Sequence, residues 1–154
     1  RLPNLAGVVD SSFDWVFMVE VVSNGRRLRP GFQLLPGAEF MVSAGVVGGA
    51  GAFAPLAAIA PKLVRQLHDM CSRQEYVEAR TAQEDISALH HAVRSAGESL
   101  LKDGLAGLKS VLRVMGRDCG QPRPPVRALG ETEHGKLADA VHAMAFLRTE
   151  PRGW

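Results

Sequence analysis

Few side chains in this sequence are placed to do chemistry. The first that are close a short apolar run: Leu5 to Val9 is followed by Asp10-Ser11-Ser12, one carboxylate and two hydroxyls. If the run is a parallel strand, the triplet stands at its C-terminal end, where α/β sheets place their sites. The same three residues are also helix-capping chemistry, and both readings stand. Cys119 follows Arg117-Asp118; a neighbouring base offset by an acid gives little reason for a lowered thiol pKa, and inertness is the simpler expectation. His90 and His91 are consecutive, so on a helix they diverge by about 100° and do not face one ligand. No histidine, cysteine or carboxylate pair has metal-ligand spacing with a third member in reach, so no metal is expected.

The chain has 154 residues, 46% hydrophobic and 22% charged, with 18 basic and 16 acidic side chains for a formal charge of +2. That balance belongs to a globular domain and argues against disorder or a collagen-like repeat. The bases are scattered rather than gathered into a stripe, so no nucleic-acid partner is expected. Cys71 and Cys119 are the only cysteines, which rules out a disulfide framework. Arg1 is not an initiator methionine, and the sequence reads as cut from something longer, with no signal peptide in view. The uncharged stretch from Phe40 to Pro61 is long enough for a membrane span, but it contains Gly45, Gly48, Gly49, Gly51 and Pro55. In a helix interior each glycine costs about 1 kcal/mol and a proline about 3 kcal/mol relative to alanine, so helix, buried strand and second helix are expected, and no membrane.

The elements that would position these groups alternate in the first third. A strand over Leu5 to Val9 precedes a helix from about Asp14, apolar all round and therefore expected to be largely buried, which Ser23-Asn24-Gly25 should end. Phe32 to Leu35 is the second strand, closed by Pro36-Gly37 and followed by a short helix from Glu39 to Val46. Ala50 to Ala54 is the third, ahead of an amphipathic helix over Lys62 to Ser72. Three successive βα units on a parallel sheet are predicted over residues 1–72. From 73 to 154 the pattern becomes helical. Ala79, Ala82, Ile86, Leu89, Val93 and Ala96 step by three and four, as do Leu101, Leu105, Leu108, Leu112 and Met115. Gly120 to Pro125 must be an extended connector, and a last helix carries Leu137, Val141 and Met144.

Taken in order, Leu2-Pro3-Asn4-Leu5-Ala6-Gly7-Val8-Val9-Asp10-Ser11-Ser12, Leu35-Pro36-Gly37 and Gly48-Gly49-Ala50-Gly51-Ala52-Phe53 resemble the C-terminal half of the dihydrodipicolinate synthase / N-acetylneuraminate lyase family, which includes 4-hydroxy-2-oxoglutarate aldolases. Gly107-Leu108-Lys109 and Gly120-Gln121-Pro122-Arg123-Pro124-Pro125-Val126 are similar to its C-terminal helical region and the Arg-Pro connector. The resemblance implies an α/β chain forming the C-terminal part of a (β/α)8 TIM barrel, strands six to eight, followed by a C-terminal helical region. A full barrel takes about 250 residues, so the first five strands would lie upstream.

The resemblance further implies a class I aldolase or lyase that binds pyruvate or another 2-oxo acid as a Schiff base on lysine, with no cofactor. That lysine ends strand six in a Gly-Ile-Lys-Asp/Glu pattern; the matching residues are Gly7-Val8-Val9-Asp10, so Val9 occupies the Schiff-base position. Phe13 replaces the glycine usual after Ser-Ser, and Ala58 the asparagine expected after strand eight. Gly37, Gly51, Ala52 and Phe53 would border the 2-oxo-acid pocket, or else serve tight-turn packing. Lys62, Lys102, Lys109 and Lys136 are the chain's four lysines, and each falls on or beside a predicted helix as a solvated charge. Two functions therefore stand open: an aldolase or lyase segment, inactive as given, and a non-catalytic homologue with a binding or structural role. Homo-oligomers and a cytoplasmic location are implied, with a mitochondrial one as second choice.

Overall fold

The computed structural model describes residues 4–96 and 104–153. Two compact units divide the chain: Arg1–Pro55 with Val64–Gln83, and Leu56–Leu63 with Glu84–Trp154.

In the first unit, β1 (Gly7–Val9) and β2 (Gln33–Leu35) pair in parallel, with Gly7 opposite Gln33, Val8 opposite Leu34 and Val9 opposite Leu35. Parallel neighbours need a crossover, supplied by helix α1 (Trp15–Leu28). Asp14 caps α1 by accepting the Phe17 N–H at 3.0 Å. Leu34 is buried in a cluster with Met18, Val22 and Ala44, and Val8, Val21 and Phe40 pack against it. Because strand side chains alternate, Gly7, Val9, Gln33 and Leu35 project to the opposite face.

Two expectations for α1 are corrected. The helix runs through Ser23-Asn24-Gly25 to Leu28: the Asn24 side chain accepts a hydrogen bond from Arg27, and a Cβ at Gly25 would collide with the Phe32 ring, so the glycine serves packing rather than termination. Nor is α1 largely buried. Met18 and Val22 are, whereas Trp15, Val16 and Phe17 are 38%, 66% and 45% exposed.

After β2, a 3₁₀ turn (Ala38–Phe40) leads into α2 (Met41–Val47), which ends at Gly48 in the left-handed region (φ 95°). Arg26 donates to the Gly48 carbonyl at 3.0 Å, pinning the end of α2 to α1. The predicted third strand is not a regular strand. It runs beside β2 with two hydrogen bonds, Ala50 N–H to the Leu34 carbonyl at 3.0 Å and Phe53 N–H to the Pro36 carbonyl at 2.8 Å. Three residues on one side span two on the other, the count of a bulge. The expected helices over 62–72 and 79–96 are found as α3 (Pro61–Ser72) and α4 (Arg80–Ser95).

The second unit is helical. α5 (Leu105–Val114) and α6 (Glu131–Ala143) pack together, burying Val111, Leu112, Leu137 and Val141. The predicted start of α5 at Leu101 lies outside the described residues. Gly107 lets α5 approach the α4 backbone, because a Cβ there would overlap the Val93 carbonyl. The connector over 120–125 carries neither helix nor strand. Two buried charged residues, neither marked by any local signal in the sequence, tie distant segments. Arg117 donates to the Ala58 and Ile59 carbonyls at 2.5 and 2.7 Å. Glu150 accepts the Lys62 and Leu63 N–H groups at 3.0 and 2.8 Å, capping α3 from the far end of the chain.

Candidate functional site

The residues singled out around the strand ends are brought together in the first unit. Val9 ends β1, 46% exposed, opposite Leu35. A Cβ built on Gly51 would stand 3.5 Å from Leu35 Cδ2, so the bulged run borders the same strand end. Gly37 and Phe53 are linked through Pro36: Phe53 donates to its carbonyl, and Gly37 follows it to open the 3₁₀ turn, its carbonyl accepting from Phe40 at 3.1 Å. Phe53 is 60% exposed, and Gly51 and Ala52 are half-buried. The face carrying Gly7, Val9, Gln33 and Leu35 holds no amine, thiol or imidazole, so these strands present nothing able to add to a carbonyl.

Asp10, Ser12 and Asp14 form a relay of caps rather than a cluster of free acids. Asp10 Oδ1 accepts the Ser12 N–H at 3.0 Å, Ser12 Oγ accepts the Asp14 N–H at 3.1 Å, and Asp14 caps α1. Asp10 is 7% exposed, and its Oδ2 has no hydrogen-bond partner among the described residues. Inside this relay Phe13 takes a left-handed conformation, φ 58°, and its ring meets Phe40 edge-on at 5.7 Å between centroids. A bulky side chain in this region is strained by about 1–2 kcal/mol, which explains physically why glycine suits the position.

Three of the four lysines are accounted for in the second unit. Lys62 donates to the Thr149 carbonyl at 2.7 Å, Lys109 donates to the Cys119 and Gly120 carbonyls at 3.0 and 3.4 Å, and Lys136 is an exposed charge on α6. Lys102 lies outside the described residues. Cys119 is exposed with its Sγ 3.6 Å from Lys109 Nζ, while burial pushes the Cys71 thiol up from its ordinary value.

Residues that sequence reasoning missed include His68 on α3, whose Nε2 would lie 3.8 Å from a Cβ at Gly51. Its Nδ1 is 3.4 Å from Asp69, whose carboxyl is held below the ordinary range mainly by the Arg65 guanidinium. Ser110 and His134 also meet, Oγ to Nδ1 at 2.5 Å. Neither His68 beside Gly51 nor Ser110 beside His134 could be found from spacing, since in each case the two residues sit on different elements. Among the described residues, no three His, Cys, Asp or Glu side chains gather as a metal site, and no helix is long and apolar enough to cross a membrane.

The fold is similar to solved structures about twice as long. Dihydrodipicolinate synthase from Bacteroides thetaiotaomicron matches at TM-score 0.79 and 25% identity, over 88% of this chain and 45% of its own. YagE, a prophage protein of the dihydrodipicolinic acid synthase family from E. coli determined in complex with pyruvate, matches at TM-score 0.80 and 16% identity over 93% and 47%. N-acetylneuraminate lyase from Fusobacterium nucleatum matches at TM-score 0.71 and 20% identity over 91% and 45%. The chain thus spans a little under half the length of each, with an α/β fold related to the (β/α)8 aldolases. No curated protein matches it. Residues 1–144 match the model of the dihydrodipicolinate synthetase family, and the chain belongs to that family.

Proposed function

We propose that this chain is the C-terminal portion of a class I Schiff-base aldolase or lyase acting on pyruvate or another 2-oxo acid. In this reading β1, β2 and the bulged run at 50–53 are strands six, seven and eight of a (β/α)8 barrel, residues 1–72 are three of its βα units, and 73–154 form the helical region. Gly37, Gly51, Ala52 and Phe53 border the 2-oxo-acid pocket. The chemistry of such a site begins with a lysine amine adding to the substrate carbonyl and losing water, after which the protonated imine draws electrons from the carbon-carbon bond being made or broken. The observation that carries the reading is the order Gly7-Val8-Val9-Asp10 at the C-terminal end of β1, with Val9 on the face turned away from the Val8 and Leu34 core.

In this reading the chain as given is inactive, since valine has no amine. A non-catalytic homologue with a binding or structural role is the second reading, favoured by Val9 together with Phe13 in its left-handed turn. A homo-oligomer in the cytoplasm suits either, the mitochondrion being the alternative compartment. The test is pyruvate with borohydride, followed by intact mass. The unaltered chain should gain no adduct, and Val9→Lys in a chain extended by the upstream half of the fold should gain one. A stable adduct on the unaltered chain would overturn the assignment of Val9, and no adduct on the extended Val9→Lys chain would favour the non-catalytic reading.

A further inference from the structure

Away from the strand ends, the second unit holds a cavity of about 340 Å³ bounded by α5, the connector behind it and the first turn of α6. Seven polar side chains line it: Ser110 and, beside it, Lys109, Arg113, Asp118, Gln121, Glu131 and His134. Some are already engaged. Lys109 is held by the Cys119 and Gly120 carbonyls, and Asp118 accepts the Gly120 N–H at 2.8 Å with its other oxygen 3.9 Å from Arg113 Nε. These contacts hold the connector as a wall of the cavity. His134 is oriented as well, its Nδ1 bound to Ser110, which is 8% exposed. A ring held through Nδ1 has Nε2 as its remaining polar atom.

Beyond the Arg113–Asp118 ion pair, the groups with no hydrogen-bond partner among the described residues include the two Nη atoms of Arg113, the Glu131 carboxylate, the Gln121 amide and His134 Nε2. They pair a guanidinium fork with a carboxylate at one cavity. The four lining charges, Lys109 and Arg113 against Asp118 and Glu131, sum to zero with His134 neutral. A plain anion would satisfy Arg113 and oppose Glu131; a plain cation would do the reverse. The geometry points to a small amphoteric ligand, a free α-amino acid or a compound with the same head group. Its carboxylate is taken by the Arg113 fork, whose planar donors match it, and its ammonium by Glu131, with Gln121 and His134 Nε2 completing the carboxylate end. The cavity is at the small end of ligand-site volumes, in keeping with a compound of that size. Nothing in this proposal depends on the Schiff-base reading.

Calorimetric titration of the full chain with L-alanine, L-lactate and propionate tests it, since the three share a carboxylate and differ in carrying an ammonium, a hydroxyl or neither. L-alanine should bind most tightly and propionate least. Glu131→Gln should bring L-alanine down to the level of L-lactate, and Arg113→Ala should weaken both by about tenfold or more, the loss of one charge-assisted contact. Arg113→Lys keeps the charge without the fork and should fall between, which keeps the test open if Arg113→Ala fails to fold. Propionate binding as well as L-alanine, L-alanine affinity unmoved by Glu131→Gln or by the Arg113 variants, or no saturable binding by any of the three up to about 10 mM, would each overturn the proposal.

Discussion

Glu150 offers the sharpest energetic test of how this chain holds itself together. Its carboxylate, 5% exposed, accepts the N–H groups of Lys62 and Leu63 in the first turn of α3, across a sequence separation of 88 and 87 residues. The first N–H groups of a helix have no partner within it, and a negative charge there also meets the positive end of the helix dipole. Glu150→Ala removes both acceptors. Hydrogen bonds to a charged group contribute about 1.5–3 kcal/mol each, but Lys62 is exposed and water can replace its partner. Leu63 is 7% exposed, so its N–H bears most of the loss. The expected destabilisation is about 2–4 kcal/mol, or a fall in Tm of about 4–16 °C for a chain of this size. Glu150→Gln retains one good acceptor and should lose about half as much. Urea unfolding at an unchanged m-value reads the energy, and hydrogen exchange at the Lys62 and Leu63 amides reads its location. A Glu150→Ala chain within about 0.5 kcal/mol of the parent, or one whose exchange rises elsewhere and not at these two amides, would refute the cap.

Three further outcomes follow from particular contacts. Gly107→Ala should cost about 1–3 kcal/mol or more, as a forced methyl in a packed interface does, because its Cβ would overlap the Val93 carbonyl; thermal unfolding checks it. The Arg127 guanidinium and then the Gly130 N–H hold the Glu133 carboxyl at about 2, below the ordinary 4.5. A carboxyl depressed in the folded state contributes stability that is present above its unfolded pKa and is lost as pH falls from about 4.5 through about 2. The group is exposed and screened, so the effect on stability is small; an NMR titration should find the low midpoint, and Arg127→Ala should move it back toward the ordinary value. Leu5, Val9, Phe13, Trp15, Val16 and Phe17 are all at least 38% exposed in the first unit, and Gly7 and Val9 lie on a strand paired on one side among the described residues. The chain should therefore self-associate or precipitate at micromolar concentration, and monomeric sedimentation with a cooperative thermal transition would contradict this.

Local patterns were enough for much of this molecule. The steps of three and four through Ala82, Ile86, Leu89 and Val93 make one apolar stripe and hence α4, because a helix must bury one face wherever it lies. Asp14 could be read as the start of α1, since a cap bonds within its own turn. The order of motifs through Val9, Gly37 and Phe53 marked the family, which depends on residue identity alone. The exposed side of α1 was not legible: an apolar circumference says what a helix would bury, not which neighbours are present to bury it. That the third run is no regular strand is not legible in its sequence, because its hydrogen bonds to Leu34 and Pro36 set its register, and those partners lie 16 and 17 residues back. Phe13 as a residue type gives no sign of its positive φ, which only the glycine usual at that position hints at and which accompanies the Asp10 to Asp14 relay and the Phe40 ring. Arg117, Glu150 and the Ser110–His134 pair are further cases, each a polar group whose role is set by a segment brought near only by folding. Sequence by itself determined which helices form and which family the chain belongs to. Tertiary structure decided which faces are covered, where the buried charges find acceptors and donors, and which polar atoms remain free to bind, because each of those is a property of pairs distant along the chain.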